Sequence, residues 1–194
     1  GETLPWVRIP PCPPIHTRRH HQMHLLLAGN SFIAKHTGEY PGWAELLEQD
    51  YKIHNVAQFG VGQYKILKQL QKVNLNQYDA VIICQSSPYL IHTAYHPLHK
   101  EDSLYGRCDF IYEDIKGRVP DVEKFFKEYL DLEYAEFIHN LIVNEIATIL
   151  RDCRVIDCAN LGLRQLFETN RGTVQHLDKQ GNITFYNKLK KALK

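Results

Sequence analysis

One serine and one histidine are placed where they could do covalent chemistry together. Ser31 follows a short apolar run, Leu25-Leu26-Leu27-Ala28, and a Gly29-Asn30 turn. A strand ending this way delivers its serine beyond the carboxyl end of a parallel sheet, the edge at which open α/β sheets bind ligands. A serine hydroxyl is a weak nucleophile until a base takes its proton, and an imidazole titrating near neutral pH can be that base. His176 is the candidate, in the polar segment Gly172-Thr173-Val174-Gln175-His176-Leu177-Asp178-Lys179-Gln180-Gly181-Asn182 just ahead of the last helix. Such a pair would transfer an acyl group. Plainer roles fit the same residues, since a serine after a strand also caps the next helix and a loop histidine can be inert.

The pattern around these two residues alternates short apolar runs with helical stretches. Strands are expected at His24 to Ala28, Tyr51 to Val56, Asp79 to Cys84 and Arg154 to Cys158, the third being a continuous apolar run of the kind buried in a parallel sheet. Helices are expected at Trp43 to Gln49, Gly62 to Val73 and Ile183 to Leu193. Asp121 to Leu150 reads as one long helix or as two broken near Leu130 to Leu132. Between Pro88 and Pro120 no period is sustained, and Tyr, His, Gly and charged residues abound. A loop of that length in a compact domain is a candidate substrate lid or partner surface, with Tyr89, His92, Tyr95, His96 and Tyr105 available to line a pocket or to pack beneath the loop. The fold class is therefore α/β with a parallel sheet, one domain over 23–194. Residues 1–22, with Pro5, Pro10, Pro11, Pro13 and Pro14, read as an irregular arm, upstream or non-native sequence outside the folded unit.

Composition narrows the function classes. With 23 Lys and Arg against 22 Asp and Glu, no global field points to nucleic acid or an anionic membrane. The apolar runs fall far short of the roughly 20 residues that span a bilayer, and no secretory leader is visible, so a cytoplasmic location is expected. Five cysteines, Cys12, Cys84, Cys108, Cys153 and Cys158, form no CxxC pair and no zinc spacing, and read as reduced structural thiols. His16, His20, His21 and His24 lack a carboxylate or a ligand spacing, so no metal site is read there, and no cofactor is implied.

Taken together, these segments resemble the SGNH/GDSL hydrolase family. Gly29-Asn30-Ser31 is similar to its Gly-Asp-Ser nucleophile block, with Gly42-Trp43 and Leu46-Leu47 downstream as its members often have. Asn55-Val56-Ala57-Gln58-Phe59-Gly60-Val61-Gly62 resembles the second block, whose glycine donates a backbone N–H to the oxyanion; Gly60 or Gly62 would fill that role. Thr173 to Gly181 resembles the last block, Asp-x-x-His-Leu with a glycine following. The resemblance spans about Met23 to Leu193 and implies a three-layer α/β/α flavodoxin-like fold with about five parallel strands, a serine esterase acting on small acyl or O-acetyl groups, possibly borne on a carbohydrate, and no cofactor.

Two departures stand out. Where the third block would place Gly-x-Asn-Asp, the chain has Gln85-Ser86-Ser87-Pro88-Tyr89. Ser86, Ser87 or Gln85 would have to replace the asparagine donor, and Tyr89 would border the substrate. Loss of one oxyanion donor typically costs about 10² to 10³ in rate. The position of the triad acid, three before His176, is Thr173, which leaves a Ser-His dyad or another acid. Asp157, at the end of the fourth strand, is the positional candidate, and Asp178 is expected to face the turn. Asn30 in place of aspartate retains a side chain able to hydrogen-bond the nucleophile loop. These losses also fit a non-catalytic binding or structural module on the same fold. Gly60-Val61-Gly62 alone is too short a glycine signal to carry a nucleotide or phosphate binder.

Overall fold

The computed structural model describes residues 22–35, 38–102, 105–172 and 176–194. Residues 1–21 of the arm, and Thr173, therefore lie outside the described residues. Four parallel strands form one sheet: β1 (His24–Gly29), β2 (Lys52–Asn55), β3 (Ala80–Cys84) and β4 (Val155–Asp157), in the order β2-β1-β3-β4. Leu25 pairs with Ile53 on one side and Ala80 on the other, and Ile82 pairs with Ile156, so β1 and β3 are the central strands. Their apolar runs are buried throughout because both faces are covered.

Alternation along the strands divides the core. Leu25, Leu27 and Ile82 pack against α1 (Trp43–Leu47), α6 (Leu163–Thr169) and α7 (Lys179–Leu193), with Trp43 meeting Phe185 edge-on at 5.2 Å between ring centroids. Leu26, Ala28, Val81 and Ile83 face the other way, onto α2 (Gln63–Gln71) and α5 (Leu132–Leu150). The result is a three-layer α/β/α arrangement. About five strands were expected, and among the described residues four are present. The stretch after β4 forms α6, because Leu163, Leu166 and Phe167 recur at helical spacing and pack onto the first cluster.

Asp121 to Leu150 is two helices. α4 (Pro120–Glu128) begins on a proline, and α5 starts afresh at Asp131, whose side chain accepts the Tyr134 N–H at 3.0 Å. The long connection from Pro88 to Val119 is pinned rather than free. It contains α3 (Tyr112–Ile115) and an antiparallel bridge between Ile91 and Phe110. Asp109, 1% exposed, accepts the N–H groups of Gly62 at 2.7 Å and Thr93 at 3.0 Å, and pairs with Lys65 at 2.7 Å. A buried carboxylate with that many partners welds the connection to the start of α2. No helix among the described residues is long and apolar enough to cross a membrane.

Candidate active site

Gly29 closes β1 at a place where only hydrogen fits. A Cβ there would lie 2.6 Å from the Cys84 carbonyl oxygen and 2.9 Å from Ile33 Cγ2. The buried side chain of Gln69 clamps its backbone from α2, accepting from Gly29 N at 2.9 Å and donating to Gly29 O at 3.0 Å. Asn30 then opens a single helical turn. Its carbonyl accepts the N–H groups of Ile33 and Ala34 at 3.1 Å, and its Oδ1 accepts Phe32 N–H, also at 3.1 Å. Asn30 Nδ2 reaches across to the Gln85 carbonyl at 3.2 Å, tying this turn to the end of β3. Ser31 sits half-buried at the head of the turn.

The segment bearing His176 is positioned by the first turn of α7. Asp178 caps the helix by accepting Gly181 N–H at 2.6 Å. Asn182, 3% exposed, donates to the Leu177 carbonyl at 3.1 Å and accepts the Trp43 N–H at 2.9 Å. Gly172 N–H donates to the His176 carbonyl at 2.7 Å, and Tyr40 donates to the Leu177 carbonyl at 3.1 Å. His176 is half-buried, its ring 5.5 Å from that of Phe32.

Ser31 and His176 line one narrow cleft, together with Phe32, Trp43, Glu45 and Asn182. Its free space of about 10 Å³ suffices for roughly one water molecule. Among the described residues, no hydrogen bond joins the serine hydroxyl to the imidazole.

The remaining candidates fall in two groups. Gly60 has φ of +58° and its absent Cβ would meet Cys108 Sγ at 2.7 Å, so the turn after β2 needs glycine. Gly62 gives its N–H to Asp109. At the end of β3, Gln85 Nε2 donates to Asp157 at 2.6 Å, Ser86 N–H donates to Gln63 Oε1 at 3.0 Å, and Ser87 Oγ accepts Tyr89 N–H at 3.3 Å. The Tyr89 hydroxyl bonds Glu136. Ser87 and Gly62 border a different cleft, described below. Asp157 Oδ1 accepts Ala159 N–H at 2.8 Å, so its carboxylate is occupied by Gln85 and its own turn.

Glu45 was not singled out from the sequence. It is the carboxylate in the lining that holds both Ser31 and His176, with Oε2 shielded from solvent. Its position in the first turn of α1 gave no signal, because an acidic residue there is ordinary helix chemistry. Gln69 and Asn182 were missed for a similar reason: a buried amide inside a helical run looks like a surface residue until its partners are known. His24, grouped above with the arm's histidines, pairs through Nδ1 with the Gln77 carbonyl at 3.0 Å at the start of β1. Among the described residues, no group of three or more His, Cys, Asp or Glu is placed to hold a metal. Compared with known proteins, the chain matches no protein-family model and no curated protein sequence.

Proposed function

We propose that the chain is a serine ester hydrolase of the SGNH type. Ser31 Oγ attacks the ester carbonyl while His176 takes its proton; the alcohol then leaves with that proton, and water releases the acyl group from Ser31 by the reverse relay. The Ser31 and Gly60 backbone N–H groups are assigned to the oxyanion, because the Gly62 N–H is already committed to Asp109. Glu45 is assigned the part of the missing triad acid, in preference to Asp157, whose oxygens are engaged by Gln85 and Ala159. The substrate is assigned to small acyl or O-acetyl esters, a carbohydrate being one carrier of such groups.

The observation that carries this reading is that Ser31 and His176, 145 positions apart, line the same cleft beyond the carboxyl end of β1. A fluorophosphonate probe followed by peptide mapping tests it. Modification of Ser31 that is abolished by His176→Ala, together with hydrolysis of a short-chain nitrophenyl ester lost in Ser31→Ala, is the expected outcome. An unmodified Ser31 in folded protein would leave a binding or structural module in its place.

A further inference from the structure

Two larger clefts lie apart from the one that Ser31 and His176 line. One, of about 620 Å³, is floored by Asn55 to Gln58 and walled by Lys65, Lys68, Lys72 and Arg107. No carboxylate lines it among the described residues. Asp109 neutralises Lys65 from below, whereas Lys68, Lys72 and Arg107 are exposed and make no ion pair among the described residues. On a chain whose formal net charge is +1, three such cations around one concavity create a local positive potential that the chain as a whole lacks.

The second cleft, of about 340 Å³, runs between Pro88 to His92 and the helices α4 and α5. Four rings, Tyr64, Phe125, Tyr129 and Tyr134, each more than 40% exposed, stand around it among aliphatic side chains and two carboxylates, Asp131 and the Lys65-paired Asp109. Tyrosine faces are apolar with a polar edge, which suits a ring that is itself apolar on its faces and hydroxylated at its rim. The two clefts share Tyr64 and His92, which meet edge-on at 4.8 Å. A ligand could thus lie across this pair with one part on the tyrosines and another among the cations.

We propose that the joined clefts bind a saccharide carrying an anionic substituent, its ring stacked on the tyrosines and its carboxylate, phosphate or sulfate held by Lys68, Lys72 and Arg107. This rests on the carbohydrate-ester reading of the substrate and names its charge. Gln58 N–H donates to the Gly29 carbonyl at 3.1 Å and Asn55 Nδ2 to the Ile33 carbonyl at 2.8 Å, which ties the floor of the cationic cleft to the turn that carries Ser31.

The test is calorimetric titration of the full chain with trigalacturonate and with neutral maltotriose, neither of which carries an ester. Trigalacturonate is expected to bind at least tenfold more tightly at low ionic strength and to weaken as salt is raised. The triple variant Lys68→Ala, Lys72→Ala, Arg107→Ala should lose that advantage, and Tyr134→Ala should weaken both sugars. Thermal melting of each variant verifies folding, which exposed positions should preserve. Equal affinity for the two sugars, no binding of either, or wild-type affinity in the triple variant would overturn the assignment. Fluorophosphonate labelling on the same preparation keeps the two readings apart. Lost binding with Ser31 still labelled removes the cleft assignment alone, and intact binding with Ser31 unlabelled removes the hydrolase alone.

Discussion

Asn182 Oδ1 accepts the backbone N–H of Trp43 at 2.9 Å, binding the helix that carries Glu45 to the helix that follows His176. The same side chain donates to the Leu177 and Asp178 carbonyls, at 3.1 and 3.0 Å, so one buried amide fixes both walls of the Ser31 cleft. Asn182→Ala leaves the Trp43 N–H unsatisfied in the interior, a loss of about 1 to 3 kcal/mol, while the Leu177 and Asp178 carbonyls keep the Tyr40 hydroxyl and the backbone N–H of position 182. The expected outcome is a lower urea midpoint and slower fluorophosphonate labelling of Ser31 under conditions where the variant is still folded. Asn182→Asp, which keeps the acceptor for Trp43, should recover part of the stability. Labelling at the wild-type rate in a destabilised Asn182→Ala would separate this amide from the placement of His176.

Glu45 and Asp157 make opposite predictions as partners of the base. Removing the carboxylate that orients and stabilises an imidazolium typically lowers kcat by about 10² to 10⁴. Glu45→Gln should show a loss of that order in ester hydrolysis with little change in KM, and should shift the acidic limb of the pH–rate profile. Asp157→Asn keeps an acceptor for Gln85 Nε2 and should leave the rate within a few-fold of wild type. A large loss for Asp157→Asn with none for Glu45→Gln would reverse the two assignments.

The layers of this fold were legible because their signals are local. Continuous apolar runs at Leu25 to Ala28 and Ala80 to Cys84 mark strands buried on both faces, and the break before Leu132 follows from a capping aspartate. The position of Ser31 in the turn beyond β1 was legible as well, since the apolar strand and Gly29 precede it directly. Glu45, Gln69 and Asn182 were not: Gln69 and Asn182 bond backbone 40 and 139 positions away, and Glu45 comes to the cleft through the packing of α1 and α7 on one face of the sheet. Gly62 illustrates the converse. Its glycine pattern promised an oxyanion donor, yet a carboxylate 47 positions further on takes its N–H.

His96 makes stability sensitive to acid. It is 0% exposed, accepts Leu98 N–H through Nδ1 at 3.4 Å, and has no acceptor for Nε2 among the described residues. Burial, helped by neighbouring His99, holds its pKa below the ordinary histidine value. The folded state therefore binds this proton less readily than the unfolded chain, and stability falls as pH drops below about 6.5 towards the folded pKa. One such group changes stability by up to about 1.4 kcal/mol per pH unit within that window. Urea midpoints measured at pH 7 and pH 5 should fall for wild type, and the fall should shrink in His96→Gln. An identical fall in that variant would transfer the effect to other groups, His139 first, since burial lowers its pKa too.

Cys108 should be silent to thiol reagents while the chain is folded. Its Sγ donates to the Phe59 carbonyl at 3.1 Å and presses on Gly60, and burial raises its pKa to about 11. At pH 8 a thiol of that pKa is roughly one part in a thousand thiolate, the only form that reacts with iodoacetamide. Peptide mapping after brief alkylation at pH 8 should find Cys108 unmodified in native protein and fully modified in urea. Because the same thiol backs the turn carrying Gly60, Cys108→Ala removes a contact behind the assigned oxyanion donor. Ester hydrolysis should then fall in kcat rather than rise in KM, as expected for a group felt only as charge develops on the oxyanion. Rapid native alkylation of Cys108 would mean that the Gly60 turn opens far more often than its packing allows.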